Sequence, residues 1–465
     1  MSVYMLAISG ILLMCLLLNK ITSKLGVPTL LAFILLGMLF GTDGLFKISF
    51  ENYDVAEQVC TIALIFIMFY GGFGTNWETA RPIAVKATLL STLGVAITAG
   101  VTGLFCYYAL HFEFLESMLI GSVICSTDAA SVFAILRSKR MNLKYNTAPM
   151  LEVESGSNDP FSYMLTIIVL SLMSGDFSGG TMVYMIFAQI AFGIIFGVFI
   201  AAVAAFILKR FTFATDGFDS IFVFTIAIIS YAGATLIGGN GYLSAYIAGI
   251  ILGNQPIKNK RPLVHFFDGI TGLVQILIFF LLGLLSTPSQ LPGVILPAFA
   301  IALFLTFVAR PIAVFTILTP FRCSVRQMLV VSWAGLRGAA SIVFAIIATV
   351  NPAYMNNDVF HIVFFIVLFS ILFQGTLLKP ISKKLDMYDD TQNVMKTFSD
   401  YREDLGVVIT EATIEAGNPW IGMPLAEIDM GDDKLVSVIE RGHKVVIPNG
   451  KTIIQEDDVL IICEI

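Results

Sequence analysis

Long apolar stretches separated by short polar connections fill most of the chain. Thirteen apolar segments can be identified, near residues 3–19, 28–42, 56–76, 83–109, 115–136, 148–174, 181–208, 218–237, 241–254, 263–286, 292–319, 327–350 and 357–378. Most approach the length of about 20 residues that an α-helix needs to cross a bilayer. Because the segments are continuously apolar and do not alternate, they predict transmembrane helices rather than strands of a β-barrel.

Composition supports this interpretation. Hydrophobic residues make up 57% of the 465 residues and charged residues only 13%, whereas a soluble globular protein has about 25% charged residues. The composition therefore excludes an ordinary soluble enzyme, and it excludes a disordered chain. We expect an all-α polytopic membrane protein with about 13 transmembrane helices in residues 1–385.

Basic residues in the connections follow a strict alternation. Eighteen Lys and Arg residues lie in the connections that follow the odd-numbered segments, and Lys47 alone lies on the other side. Positive charge marks the cytoplasmic side of membrane proteins. The pattern predicts a multi-pass protein of the cell membrane, with the N-terminus outside and the C-terminus in the cytoplasm.

The chain changes character after the last apolar segment. Residues 386–404 are polar and are interpreted as a linker, and residues 405–465 are predicted to form a small α+β domain. Its predicted strands are Gly406–Thr410, Leu435–Glu440, Lys444–Ile447 and Val459–Cys463, with a short helix at Leu425–Met430. A domain of this size has a small core, so we expect it to dimerise.

Charge and cysteine content exclude several further classes. The net charge is +5 in residues 1–385 and −11 in residues 386–465, and neither part is typical of nucleic-acid binding. The six cysteines are scattered and form no Cys-x-x-Cys or Cys/His cluster. We therefore predict no disulfide and no structural metal.

A few polar and ionisable residues interrupt the apolar segments, where each is costly. In the sixth segment Ser155 and Asp159 are four residues apart and share one helix face, and Glu154 and Asn158 form the adjacent row. A carboxylate, a hydroxyl and an amide close together are ligands suited to a monovalent cation. The alternative for the serines is a polar contact between helices.

Two other segments carry unusual polar residues. Thr127 and Asp128 in the fifth segment can bond to backbone groups, so the helix is expected to break there, with Asp128 either near the ion or only a cap. Arg337 in the twelfth segment needs a carboxylate partner, and Glu154 is the first candidate for a structural ion pair. Tyr70 precedes two glycines in the third segment, and Gly238–Tyr242 is interpreted as a turn.

These motifs resemble those of the monovalent cation/proton antiporter 1 family. The resemblance is carried by the Thr-Asp pair, by the Glu-x-Glu-Ser-x-x-Asn-Asp run that begins at Glu152, and by the Gly-Leu-Arg-Gly-Ala run that begins at Gly335. The strings Ser126–Ser131 and Glu154–Pro160 are similar to those of its bacterial potassium/proton branch. Residues 405–465 look like an RCK C-terminal (TrkA-C) domain.

The resemblance implies a dimer of 13-helix subunits, with an inverted repeat and two crossing broken helices beside the ion site. It implies that Asp159 carries the cation or the proton in turn, that Thr127 offers a backbone oxygen and Ser155 a hydroxyl, and that Asn158 organises the site. It also pairs Glu154 with Arg337. This chain has Ala129 where the family often has proline, and Tyr70 where it often has an acidic residue.

We therefore expect a secondary antiporter, not an enzyme, that exchanges K+ and/or Na+ for protons one for one. The first alternative is an RCK-gated, potassium channel-like transporter without proton coupling, although the Thr-Val-Gly-Tyr-Gly filter is absent from the sequence. The second, an intramembrane protease, lacks the Gly-x-Gly-Asp motif. No cofactor is expected, apart from a regulatory adenine nucleotide, such as cyclic di-AMP, that the TrkA-C resemblance implies.

Overall fold

The computed structural model describes most of the chain in two compact units, Met1–Ser399 and Asp400–Ile465. The described residues are 2–25, 29–50, 52–128, 131–132, 143–175, 179–211, 217–257, 260–289, 291–353, 355–388, 408–428, 430, 434–442 and 444–464.

The first unit is helical. Its helices are α1 Ser2–Leu25, α2 Thr29–Phe40, α3 Tyr53–Gly74, α4 Trp77–Ala80, α5 Ala84–Leu89, α6 Val95–Leu110, α7 Phe114–Ile124, α8 Thr147–Met173, α9 Gly179–Arg210, α10 Phe218–Leu236, α11 Gly241–Gly253, α12 Lys260–Leu285, α13 Leu291–Phe304, α14 Arg310–Leu318, α15 Val325–Trp333, α16 Ala339–Val350, α17 Val359–Phe369 and α18 Thr376–Lys384. Three π turns make longer helices from pairs of these, at Leu90–Gly94, Leu305–Ala309 and Ser370–Gly375.

Each of the thirteen predicted segments contains at least one of these helices. Within the described ranges, seven helical runs are long and apolar enough to cross a membrane by themselves, and five further apolar helices are shorter. Two of the short helices, Phe114–Ile124 and Ala339–Val350, are short because the chain is interrupted within the segment. The membrane-embedded, mostly helical class is therefore confirmed, whereas the exact number of crossings stays a prediction.

Glycines set the closest helix packing. A Cβ atom added at Gly72 would collide with the carbonyl oxygen of Tyr246, and one added at Gly249 would collide with the carbonyl oxygen of Phe69. Both pairs join α3 to α11, so these helices approach at backbone distance, as small residues allow in membrane proteins. Large apolar side chains such as Leu236, which is 87% exposed, cover the outer surface, where lipid takes the place of water.

The second unit contains a four-stranded antiparallel sheet. Strands β1 Val408–Thr413, β2 Lys434–Arg441, β3 Lys444–Val446 and β4 Asp458–Glu464 pair in the order β1-β4-β2-β3. The four predicted strands are confirmed. The predicted helix is only a 3₁₀ turn, Leu425–Glu427. The leading amides of this turn, those of Leu425 and Ala426, donate to the carbonyl oxygens of Thr452 and Gly450.

Candidate functional site

Two interrupted helices meet in the interior of the first unit. Helix α7 ends at Ile124 and Cys125–Asp128 is not helical, while the chain between α15 and α16 is unwound over Gly335–Gly338. The Asp128 amide donates to the Leu336 carbonyl over 2.8 Å. The two unwound stretches therefore contact each other, as the resemblance implies, and both expose backbone groups inside the protein.

Glycine is required in the second stretch because charged side chains fill the adjacent space. A Cβ at Gly335 would lie 2.8 Å from Nε of Arg310, and one at Gly338 would collide with the carboxylate of Asp128. The two glycines of the Gly-Leu-Arg-Gly run thus allow Arg310 and the Asp128 carboxylate to lie directly against the unwound backbone.

Arg337 binds backbone oxygens. Its Nη1 donates to the carbonyl oxygens of Cys125, at 2.9 Å, and Ser126, at 2.5 Å, and its own amide donates to Ser370 Oγ at 2.9 Å. The two carbonyls lie just beyond the C-terminal end of α7, where the helix dipole favours a positive charge. Arg337 therefore holds the first interruption against the second.

The predicted pair between Glu154 and Arg337 is wrong. Glu154 Oε1 lies 2.5 Å from Nη2 of Arg310, and the two side chains are 0% and 2% exposed. The physical reason is that Arg337 is taken up by the carbonyls of the first interruption, whereas Arg310 extends over Gly335 towards α8. Arg310 precedes Pro311 in an apolar segment, and this rare buried charge was the signal that could have identified it.

Thr127, Ser155 and Asn158 come together as expected. Thr127 Oγ1 lies 2.7 Å from Ser155 Oγ and accepts a hydrogen bond from Asn158 Nδ2 at 2.6 Å, while the Thr127 amide donates to Asn158 Oδ1 at 3.3 Å. All three side chains are buried. Asn158 therefore fixes the first interruption to α8 through both ends of its amide group.

Asp159 is the residue that follows Asn158 on α8. Its side chain is 6% exposed, and within the described parts of the chain its Oδ1 atom has no hydrogen-bond partner. Neither Lys nor Arg forms an ion pair with it among the described residues. A buried carboxylate without a fixed counter-charge is costly unless a proton or a cation neutralises it.

Asp128 is held differently. Its carboxylate accepts hydrogen bonds from the amide of Ser131, at 3.3 Å, and from the Ser131 hydroxyl. This is the geometry of an N-cap, and residues 131 and 132 are helical. The alternative in which Asp128 caps a broken helix agrees with these contacts.

Asn240 links two helices next to the site, and the sequence did not predict this role. The turn predicted at Gly238–Tyr242 is present only up to Asn240, with Gly238 at φ +81°, because Gly241 and Tyr242 begin α11. Asn240 caps α11 by accepting from the Leu243 amide at 3.0 Å. Its Nδ2 donates to the Pro160 carbonyl over 2.7 Å. Asn240 thereby ties α11 to α8 one residue beyond Asp159.

Tyr70 lies in another contact. Its hydroxyl donates to Asp268 Oδ1 of α12 over 2.5 Å. This bond joins α3 to α12.

Comparison with known proteins agrees with this architecture. Residues 9–384 match the family described as "Sodium/hydrogen exchanger, transmembrane", and residues 409–463 match the TrkA-C domain. A relative named K(+)/H(+) antiporter NhaP2 from Shewanella baltica is 32% identical over 96% of this chain and 78% of its own length. The K(+)/H(+) antiporter NhaP of Alkalimonas amylolytica is 36% identical over 82% of this chain and 67% of its own.

A solved structure shares the fold of the first unit. The structure of the sodium proton antiporter MjNhaP1 from Methanocaldococcus jannaschii covers 82% of this chain and 99% of its own, with a TM-score of 0.72 and 24% identity. None of these similarities supports the channel alternative. With the family matched over most of its length, this chain belongs to the sodium/hydrogen exchangers, membrane-embedded transporters rather than enzymes, and carries a TrkA-C domain at its C-terminal end.

Proposed function

We propose that the chain is a secondary antiporter that exchanges K+ and/or Na+ for protons, with Asp159 as the group that binds them in turn. The observation that carries the proposal is the buried Asp159 carboxylate, which has one oxygen without a hydrogen-bond partner among the described residues and directly follows Asn158, the residue bonded to the first unwound stretch. The relatives named K+/H+ antiporters support the same reaction.

The mechanism is competition for one carboxylate. When Asp159 holds a proton or a monovalent cation, its charge is neutral and the site can cross between the two membrane faces. When it holds neither, an ionised carboxylate would have to cross through a low-dielectric region, which is unfavourable. Exchange by alternating access then follows without an additional coupling element.

The neighbouring groups supply oxygen ligands and rigidity. The Ser155 hydroxyl and the Thr127 backbone are the proposed ligands of the cation, because Ser155 lies one helical turn before Asp159 on α8 and Thr127 contacts Ser155. Asn158 is a positioning residue, since both ends of its amide are used by Thr127. We propose K+ as a substrate at least as good as Na+, because Tyr70 replaces a carboxylate that could join a sodium shell.

The environment of the protein is part of the proposal. We infer a multi-pass protein of the cell membrane, N-terminus outside and C-terminus cytoplasmic, from the 18-to-1 distribution of basic residues. Reporters fused after Ile465 and before Tyr4 should lie on opposite sides of the membrane. We propose residues 1–385 as the exchanger, 386–404 as a linker and 405–465 as a regulatory domain.

The TrkA-C domain is proposed to regulate the exchanger as a homodimer. Domains of this kind bind small ligands, and an adenine nucleotide such as cyclic di-AMP is the proposed ligand. Calorimetry with the full-length protein tests binding. Absence of heat with any adenine nucleotide, together with transport unchanged by truncation after residue 400, would remove this part of the proposal.

Reconstitution of the purified protein into liposomes with an internal pH dye tests the function. Added K+ or Na+ should move protons in wild type, and Asp159→Asn should abolish the movement while the protein stays folded. Glu78→Gln, which removes an exposed carboxylate elsewhere, is the matched control and should be active. Potassium flux that moves no protons would favour the channel alternative.

A further inference from the structure

An apolar groove lies on the outer face of the first unit, away from Asp159. It has a volume of about 520 Å³ and is lined mainly by large apolar side chains. Its walls come from the α13–α14 run, from α15 and from α18, with Phe307, Ile312, Leu329, Trp333 and Ile381 among the lining residues. Phe307 and Trp333 make an edge-on ring contact at 6.0 Å within it.

The groove opens towards the lipid. Phe307 is 60% exposed and Ile312 is 42% exposed, and both belong to the run Pro292–Phe321, which is long and apolar enough to cross a membrane. An apolar surface at this depth contacts hydrocarbon rather than water. A volume of this size is within the range of pockets that hold small organic ligands, so it can hold an acyl chain.

Basic residues mark one end of the groove. Lys384 is exposed and precedes Leu385, which lines the groove. Arg322 is exposed and follows the 3₁₀ turn that ends the α14 wall. Arg326, one helical turn before Leu329, forms an ion pair with Asp386 at 3.2 Å. The apolar groove therefore continues into a positively charged rim, which complements an anionic headgroup.

We propose that this groove is a binding site for an anionic glycerophospholipid, with one acyl chain against Ile312, Leu329 and Trp333 and the phosphate near Arg322 and Lys384. Lipid headgroups with negative charge are attracted to basic residues at the ends of membrane helices. The combination of a groove for the chain and a rim for the phosphate distinguishes this site from the general lipid-facing surface.

The position of the site connects it to the buried arginines. Pro311, which lines the groove, directly follows Arg310, the partner of Glu154. Trp333 is the last residue of α15 before the interruption that carries Arg337, and its Nε1 donates to the Gln374 carbonyl over 3.1 Å. A lipid bound in the groove would therefore contact Pro311, next to Arg310, and Trp333, next to the interruption that carries Arg337. Removal of the lipid should alter transport.

The test measures lipid binding directly on the full-length protein. Delipidated protein is titrated with phosphatidylglycerol or with phosphatidylcholine of the same acyl chains, and bound lipid is counted by native mass spectrometry. We expect tighter binding of phosphatidylglycerol, by about fivefold for each basic rim residue. Arg322→Gln and Lys384→Gln should each remove one such factor.

Groove-filling variants separate the site from general attraction of anionic lipid. Leu329→Trp and Ile312→Trp fill the groove from opposite walls and should abolish the phosphatidylglycerol preference. Leu296→Trp adds the same side chain at a position that is 76% exposed near the start of α13 and should bind as wild type does. A preference that survives both groove-filling variants, or equal binding of the two lipids by wild type, would overturn the proposal.

Discussion

Arg310 and Glu154 form an ion pair inside the membrane-embedded unit. The two atoms that make it, Nη2 and Oε1, are 2.5 Å apart, and both side chains are shielded from solvent. The pair joins α14 to α8 five residues before Asp159. It neutralises Glu154, whereas Asp159 forms no ion pair with Lys or Arg among the described residues.

Removal of Arg310 should therefore destabilise the protein. Breaking a buried ion pair by removal of one partner costs about 3–5 kcal/mol, because the other charge remains buried. We expect Arg310→Ala to lower the unfolding midpoint in detergent strongly, and Arg310→Ala combined with Glu154→Gln to recover part of the loss. Arg81→Ala, at an exposed position, is the control. A double variant no more stable than Arg310→Ala would contradict the pairing.

Substitution of Arg337 should affect transport through backbone geometry. Its guanidinium donates to the Cys125 and Ser126 carbonyls, and hydrogen bonds to charged groups contribute about 1.5–3 kcal/mol each. Arg337→Lys retains the charge but not the planar donor group, so we expect folded protein with reduced exchange. Arg337→Ala should decrease both the amount of folded protein and the exchange rate further.

Glu154→Gln distinguishes Arg310 from Arg337 as the partner of Glu154. Glu154→Gln should rescue Arg310→Ala but not Arg337→Ala, because Glu154 pairs with Arg310. Rescue of Arg337→Ala without rescue of Arg310→Ala would show that Arg337 neutralises Glu154. Thermal unfolding and proton movement in liposomes, measured on the same preparations, decide between them.

The sequence predicted the membrane-embedded helical class, the four strands of the C-terminal unit and the contact of Thr127, Ser155 and Asn158. The first two follow from local signals, apolar length and turn residues. The four-residue spacing placed Ser155 on one helix face with Asp159, with Asn158 in the adjacent row, whereas the place of Thr127 beside them was implied by the family resemblance. The sequence did not predict which arginine meets Glu154. That choice depends on how an interrupted helix directs Arg337 towards carbonyl groups and on the space that Gly335 leaves for Arg310, and both are tertiary effects.

The C-terminal unit should show a defined acid sensitivity. Asp458 is buried, which raises its pKa, but hydrogen bonds from Arg441, at 2.7 and 2.8 Å, and from the Gln455 amide outweigh this and hold the pKa of Asp458 below its ordinary value. A lowered folded-state pKa stabilises the fold above the unfolded value of about 3.9, and this stabilisation is lost as the pH falls through the folded value.

Asp458→Asn should therefore destabilise this unit at neutral pH, and the difference from wild type should shrink as the pH falls below about 4. Trp420 packs against the core of the unit, so its fluorescence in a Trp77→Phe, Trp333→Phe background reports local unfolding. Asp457→Asn, at the exposed neighbouring position, should change little. A difference that is constant across pH would contradict the role of the charge.

The last prediction concerns stoichiometry. Glu154 is neutralised by Arg310, Asn158 cannot take up a proton, and Asp128 is bonded to Ser131 as a helix cap. If Asp159 alone titrates in the cycle, one proton exchanges for one monovalent cation and no net charge moves.

We expect exchange in liposomes to be independent of a membrane potential clamped by an ionophore for an ion that is not transported. A rate or a final pH gradient that follows the imposed voltage would require a second proton carrier. Asp128→Asn then tests the first candidate: loss of the voltage dependence would assign the second proton to Asp128, whereas a voltage dependence that persists in this variant is the result that a pure helix cap predicts.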